Sequence, residues 1–69
     1  MIKPRELVIA ELRKRNPRLT HEPADIWDLV PAQLGITVIM LDGSVHPLPM
    51  GSGAARQVLH SWSVEAARG

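Results

Sequence analysis

The sequence predicts a small α+β domain that consists of a helix, a short helix, a β-hairpin and a closing helix. Three observations support this. The chain has 69 residues, which is enough for one domain only, so residues 1–69 are treated as a single unit. Apolar residues recur at helical spacing near both ends. The central segment "ITVIML" is rich in β-branched residues and is followed by the turn pair Asp42-Gly43.

The first helix is predicted over residues 4–15. Pro4 suits a first helical turn, where its missing N–H costs nothing. Val8, Ile9 and Leu12 then fall on one face. Asn16-Pro17 ends the helix, because the residue before a proline avoids the α region.

A short second helix is predicted within "THEPADIWDLVPAQLG". It would begin at Thr20 or His21, with Pro23 in its first turn and acidic residues near its positive end. Gly35 fits a left-handed C-cap after it. Its apolar face would be formed by Ile26, Trp27, Leu29 and Val30.

The hairpin and the last helix follow. "ITVIML" predicts a strand that is buried on most of both faces, and Asp42-Gly43 predicts a two-residue type I′ turn. The returning strand, "SVHPL", should lie at an edge because Pro47 cannot donate a ladder hydrogen bond. The closing helix, about residues 53–67, is capped by Ser52 and presents an apolar stripe of Ala55, Val58, Leu59, Trp62 and Ala66.

The same pattern predicts a homodimer. Two or three helices on one face of a hairpin leave the other face uncovered, although the first strand is apolar on both faces. A core this small also needs support, and the chain has no cysteine to form disulfides. Association with a second copy of the chain is the simplest way to bury the uncovered face of the hairpin.

Composition excludes several kinds of chemistry. Without cysteine there are no disulfides and no thiolate metal ligands, and the chain suits a reducing cytoplasm, where we expect it. We expect no signal peptide and no membrane span. "HEPAD" lacks the second histidine of a His-Glu-x-x-His zinc motif, and "PMGSGAAR" lacks the Gly-Lys-Ser/Thr of a phosphate loop. We therefore predict no metal and no cofactor.

The sequence does not predict an enzyme. Asp42, Ser44 and His46 align at the two-residue period of a strand, but any alternating strand gives such an alignment. We therefore predict no catalytic residue.

Nucleic-acid binding is an alternative function. The end of the first helix, "RKRNPR", could contact phosphates. The chain has no Phe or Tyr, so stacking on bases would fall to its two tryptophans. The residues concerned are Arg13, Lys14, Arg15 and Arg18.

"VHPLPMGSGAARQVLHSW" resembles the end of small RNA-cleaving toxins of the HicA type, in which a strand and a short turn lead into a closing helix. Those toxins resemble a double-stranded-RNA-binding domain and carry Gly-Ser-His on a central strand. Here Val45 separates Gly43-Ser44 from His46, and the predicted strand count is one short. The resemblance implies an RNA-cleaving toxin as a further alternative.

The function that we predict is a protein-binding regulator or inhibitor that acts as a homodimer and occupies the surface of a partner protein. The edge strand and the apolar stripe of the last helix are the predicted contact surfaces. Trp, Met and Arg are the residue types that most often anchor interfaces. The predicted partner-binding residues are Val45, His46, Met50, Arg56, Leu59 and Trp62.

Overall fold

A three-stranded antiparallel sheet lies beneath two helices in the computed structural model, which describes residues 3–68. This confirms the α+β class and the order helix, hairpin, helix. The three strands neighbour one another in chain order, so the returning strand of the hairpin is an edge strand, as predicted. The elements are α1 (Pro4–Arg15), a 3-10 turn (Pro23–Asp25), β1 (Ile26–Ala32), β2 (Gly35–Met40), β3 (Val45–Pro49) and α2 (Ser52–Ala67).

The prediction of a second helix is wrong beyond its first turn. Only the 3-10 turn is helical, and the apolar run after it is strand β1, which adds the third strand that the sequence reading lacked. The register of β1 against β2 shifts between Ile26 and Asp28. This bulge lets Ile26 and Leu29 both reach the core, although a regular strand would turn residues three apart to opposite faces. The resulting spacing of three resembles helical periodicity.

Both helices pack on one face of the sheet, which we call the inner face. The register pairs Ile36 of β2 with Leu48 and pairs Val38 with Leu29, so these side chains point to the same side. They form a single buried cluster with residues from both helices. The helix members of that cluster are Val8, Ile9, Leu12, Ala55 and Val58.

On the other side of the sheet, which we call the outer face, no helix of residues 3–68 packs. The register places Val30, Thr37 and Pro47 in one row across the strands, with Ile39 beside Val45 in the next. Antiparallel sheets that are open to water on one side usually present polar residues there. This outer face is mainly apolar instead, with the charged Asp28 beside Ile39 on the edge strand.

Gly35 does not cap a helix. It begins β2 with a φ of 131°, a conformation that L side chains rarely adopt. A Cβ at this position would lie 2.3 Å from the carbonyl oxygen of Leu48 and 2.6 Å from the amide nitrogen of Met50. The glycine is needed because the end of β3 passes directly against the start of β2.

The turn between β2 and β3 is not the predicted type I′ turn. A type I′ turn needs positive φ at both central residues, and only Gly43, with φ 86°, has it. The Gly43 amide donates to Met40 O at 3.0 Å, and the Met40 amide donates to Ser44 O at 2.9 Å. This is the three-residue hairpin loop that ends in a glycine bulge. Asp42 favours it by accepting the Ser44 N–H at 2.9 Å.

Proline limits hydrogen bonding at both edges of the sheet. In an antiparallel pair, alternate residues direct N–H and C=O away from the neighbouring strand. On β3 the outward positions include Pro47 and Pro49, which have no N–H, and Arg15 donates to the Pro49 carbonyl at 3.3 Å. On β1 they include Pro31 and Leu29, whose amide donates to Asp28 Oδ1 at 2.9 Å. Few backbone donors therefore remain to extend the sheet.

Candidate functional site

Four polar side chains meet at the end of the sheet where β2 turns into β3. His21 arrives from the loop after α1, with its Nε2 2.8 Å from Asp42 Oδ2. The Ser44 hydroxyl donates to Asp42 Oδ1 at 2.6 Å, and His46 Nε2 lies 3.0 Å from Ser44 Oγ. The two imidazole rings meet edge to face, with centroids 5.4 Å apart. We call these four residues the polar cluster.

Hydrogen bonding keeps Asp42 ionised. The Ser44 hydroxyl, His21 and the Ser44 amide all bond to its carboxylate and hold its pKa well below the ordinary value. Because the hydroxyl proton of Ser44 is directed at this weakly basic carboxylate, Ser44 Oγ is left to accept from His46 Nε2. His46 is then a donor to the serine and not its base. A nucleophilic serine needs the opposite arrangement.

Neither nitrogen of His21 is directed at a neighbouring serine as a base would be. Its Nε2 is bound to Asp42, while its Nδ1 is buried and has no hydrogen-bond partner. Proton exchange with a bound molecule needs a nitrogen within hydrogen-bond reach of that molecule. The polar cluster therefore ties the loop after α1 to the hairpin turn. The sequence reading aligned Asp42, Ser44 and His46 but missed His21, which lies 21 residues before Asp42 and is joined to it only by the fold.

Metal binding finds no support within residues 3–68. No group of three or more His, Asp or Glu side chains there is arranged to hold a metal ion. Over the same residues, no helix is both long enough and apolar enough to cross a bilayer.

The basic residues at the end of α1 mostly contact groups of their own chain. Arg13 pairs with Glu22 at 3.1 Å and also donates to the His21 carbonyl at 2.9 Å. Lys14 pairs with Glu11 at 3.1 Å. Arg15 donates to the Glu11 and Pro49 carbonyls. Phosphate contacts by Arg13, Lys14 or Arg15 would therefore compete with these existing contacts. Among the four cations, only the Arg18 side chain makes no hydrogen bond or ion pair within residues 3–68.

The two tryptophans occupy opposite environments. Trp62 is half-buried against the core, and its Nε1–H donates to Asp28 Oδ1 at 3.1 Å. The Arg5 guanidinium lies 4.6 Å from the centre of its ring. Trp27, beside the bulge in β1, is 61% exposed. The tryptophan that is available to a partner is therefore Trp27, which the sequence reading placed on a helix face.

The predicted partner-binding residues do not form one surface. Met50, Arg56 and Leu59 line a shallow groove of about 390 Å³ between the β1–β2 turn and α2, together with Leu34. His46 belongs to the polar cluster at the other end of the sheet. Val45 pairs with Ile39 on the outer face, and Trp62 packs against the core.

The exposed apolar residues identify a different surface. Trp27, Leu41 and Val45 are 61%, 63% and 58% exposed. They lie where β1 begins, β2 ends and β3 begins, so they share one end of the sheet. Val45 lies beside Ile39 on the outer face, and Trp27 and Leu41 lie at the same end of the sheet. We call these four residues together with Thr37 the outer-face patch. The sequence did contain a signal for this patch. The central strand has apolar residues on both of its faces, whereas a half-buried strand alternates apolar and polar residues.

Comparisons with known proteins give no match: no family model, no curated protein and no solved structure is significantly similar to the chain. The functional argument therefore depends on the geometry.

Proposed function

We propose that the protein is a small non-enzymatic regulator or inhibitor that acts as a homodimer and binds other proteins. The observation that carries the proposal is the outer-face patch. A contiguous exposed apolar surface with an exposed tryptophan is typical of a protein interface, because burying it removes a large apolar area from water. Its first occupant on this proposal is a second copy of the chain.

The chemistry of the polar cluster supports a non-enzymatic role. Ser44 directs its proton to a carboxylate, His21 Nε2 is bound to the same carboxylate, and His21 Nδ1 is buried. The absence of cysteine is compatible with the reducing cytoplasm, which we propose as the location.

Light scattering after size exclusion, at low and at high salt, tests the homodimer. We expect a dimer at both salt concentrations, because apolar contacts are not screened by ions as charge pairs are. A dimer that dissociates at high salt would contradict an apolar interface. A monomer at every concentration would contradict the homodimeric regulator.

A monomer would make nucleic-acid binding the leading alternative. The surface in that case is the basic group at the end of α1, with Arg18 as its freest cation. Titration with DNA and with RNA at two salt concentrations would then show a steep salt dependence, weakened when Arg13, Lys14 and Arg15 are replaced by alanine.

A further inference from the structure

We infer that the protein bound by the homodimer presents a basic amphipathic segment, which docks beside the second copy at the end of the outer-face patch where Trp27 and Leu41 stand. The inference rests on the proposed function, because it names the chemistry of the partner. Two observations carry it: the exposure of these two side chains and the distribution of charge around them.

Trp27 and Leu41 form an apolar contact site at one end of the sheet. They are 61% and 63% exposed, although both are large apolar side chains. Ile26 and Met40 are buried and paired across β1 and β2, so the residues that follow them in the chain, Trp27 and Leu41, are neighbours. A partner that covers these two side chains removes apolar area from water.

The acidic side chains of the chain fall into two groups that differ in their ionic partners. Each of the four glutamates forms an ion pair with a lysine or an arginine. None of the three aspartates, Asp25, Asp28 and Asp42, pairs with a lysine or an arginine of residues 3–68. Their hydrogen bonds come instead from backbone amides and from His21, Ser44 and Trp62. The aspartates therefore remain open to cations from outside the chain.

The three aspartates lie around the apolar contact site. Asp25 and Asp28 stand on either side of Trp27 in the sequence, and Asp42 directly follows Leu41. The Leu41 amide donates to the Asp25 carbonyl at 2.8 Å, which brings Asp25 next to the end of β2. A segment that places apolar side chains on Trp27 and Leu41 would consequently have carboxylates beside it.

A basic amphipathic segment fits this combination of exposed apolar and acidic groups. Its apolar side chains would cover Trp27 and Leu41, and its lysines or arginines would reach the aspartates. The aliphatic stems of Lys and Arg also cover apolar surface, and a cation is attracted to the face of a tryptophan ring. An acidic segment would be repelled, because like charges that meet across an interface disfavour the wrong partner.

Calorimetric titration with a defined peptide tests the requirement for charge. The probe is a synthetic amphipathic peptide of Leu and Lys, and the comparison peptide has Glu in place of every Lys. We expect the Lys peptide to bind the wild-type chain and the Glu peptide not to bind. Asp25→Asn combined with Asp28→Asn should weaken binding of the Lys peptide about fivefold, because two ion pairs are lost. Asparagine keeps an oxygen that can accept the existing hydrogen bonds.

A matched control changes the net charge by the same amount elsewhere. Glu11→Gln acts on α1, which packs against the inner face, and Gln33→Lys acts in the turn between β1 and β2 at the far end of the sheet. This double variant should bind the Lys peptide within about twofold of the wild type in about 0.1 M salt, where distant charges are screened. An equal loss of affinity in the two double variants would mean that only net charge matters, and would overturn the docking site.

Fluorescence locates the contact, because the chain has only two tryptophans and the peptides have none. In Trp62→Phe the emission comes from Trp27 alone, and it should shift to shorter wavelength when the Lys peptide removes the indole from water. In Trp27→Phe the emission comes from Trp62 and should change little. A shift seen only with Trp62 would place the peptide elsewhere and refute the inference.

The outcomes separate the inference from the homodimer. Light scattering without peptide tests the homodimer alone. A monomer that binds the Lys peptide through Asp25 and Asp28 would contradict the homodimer and support the docking site. A dimer that binds both peptides equally, or neither of them, would leave the homodimer standing and overturn the docking site. The comparison of the two peptides uses the wild-type chain and so does not depend on the folding of any variant.

Discussion

The two faces of β2 carry similar side chains and have opposite surroundings. Ile36, Val38 and Met40 face the helices and are almost completely buried. Thr37 and Ile39 alternate with them, face away from the helices and are partly exposed. Burial therefore depends on where the two helices lie and not on the apolar character of the strand. A mainly apolar face on which no helix of residues 3–68 packs is the feature from which the function is inferred.

Contacts between the helices explain why both lie on the same face. Arg5 of α1 pairs with Glu65 of α2 at 3.0 Å and lies over the Trp62 ring. The same guanidinium donates to the carbonyls of Pro23 and Ile26, where β1 begins. A single partly buried side chain thus joins α1, α2 and the entry to the sheet on the inner side.

The largest expected effect comes from removing matched side chains from the two faces. Ile36→Ala should lower the free energy of unfolding by about 3 kcal/mol, because it leaves a cavity in the core. Ile39→Ala should cost clearly less than Ile36→Ala in dilute protein, since part of the Ile39 side chain is already in water. Urea unfolding at low protein concentration, followed by circular dichroism, measures both values.

The same two variants should also differ in their ability to form the dimer. Ile39→Ala should weaken the dimer, whereas Ile36→Ala should leave the outer face intact in the molecules that remain folded. Equal destabilisation of the monomer by the two substitutions would mean that the outer face is covered within the chain.

A smaller effect should distinguish the two tryptophans. Trp62→Phe removes the hydrogen bond to Asp28 and should cost about 1 kcal/mol of stability. Trp27→Phe should change monomer stability by less than about 0.5 kcal/mol, as exposed substitutions usually do. It should nevertheless weaken dimer formation. Urea unfolding and light scattering on both variants check the expectation, which would be refuted if Trp62→Phe were the one that dissociates the dimer.

The smallest effect concerns the polar cluster at the end of the two faces. The pKa of Asp42 is lowered in the folded protein from an ordinary value of 3.8, so the unfolded chain takes up a proton first as the pH falls. The stability that Asp42 contributes is present above about pH 3.8 and is lost below it. Wild-type protein should therefore lose thermal stability more steeply than Asp42→Asn on going from about pH 4 to about pH 2. If the melting temperatures of both proteins fall by the same amount over this pH range, Asp42 does not cause the loss of stability in acid.

Residue patterns that are local in the sequence predicted the first helix, the last helix and the edge strand well. Pro4 and Asn16-Pro17 mark the ends of α1 in the sequence, and the closing helix and the edge position of β3 follow from helical spacing and Pro47. These features depend on residues close together in the chain. The candidate surfaces were predicted less well, because the residues that form them are distant in sequence. Val45 was named in advance, but Trp27, Ile39 and Leu41 were not named as a surface.

The sequence by itself determined the α+β class, the helix ends, the apolar character of both faces of β2 and the absence of cysteine chemistry. The tertiary structure alone decided that the run from Ile26 is a strand, since its bulge produces a helix-like spacing that only pairing with β2 resolves. It also decided that Gly35 is required by the close passage of β3, and that His21 meets Asp42. In each case the deciding contact joins residues that only the folded chain brings together.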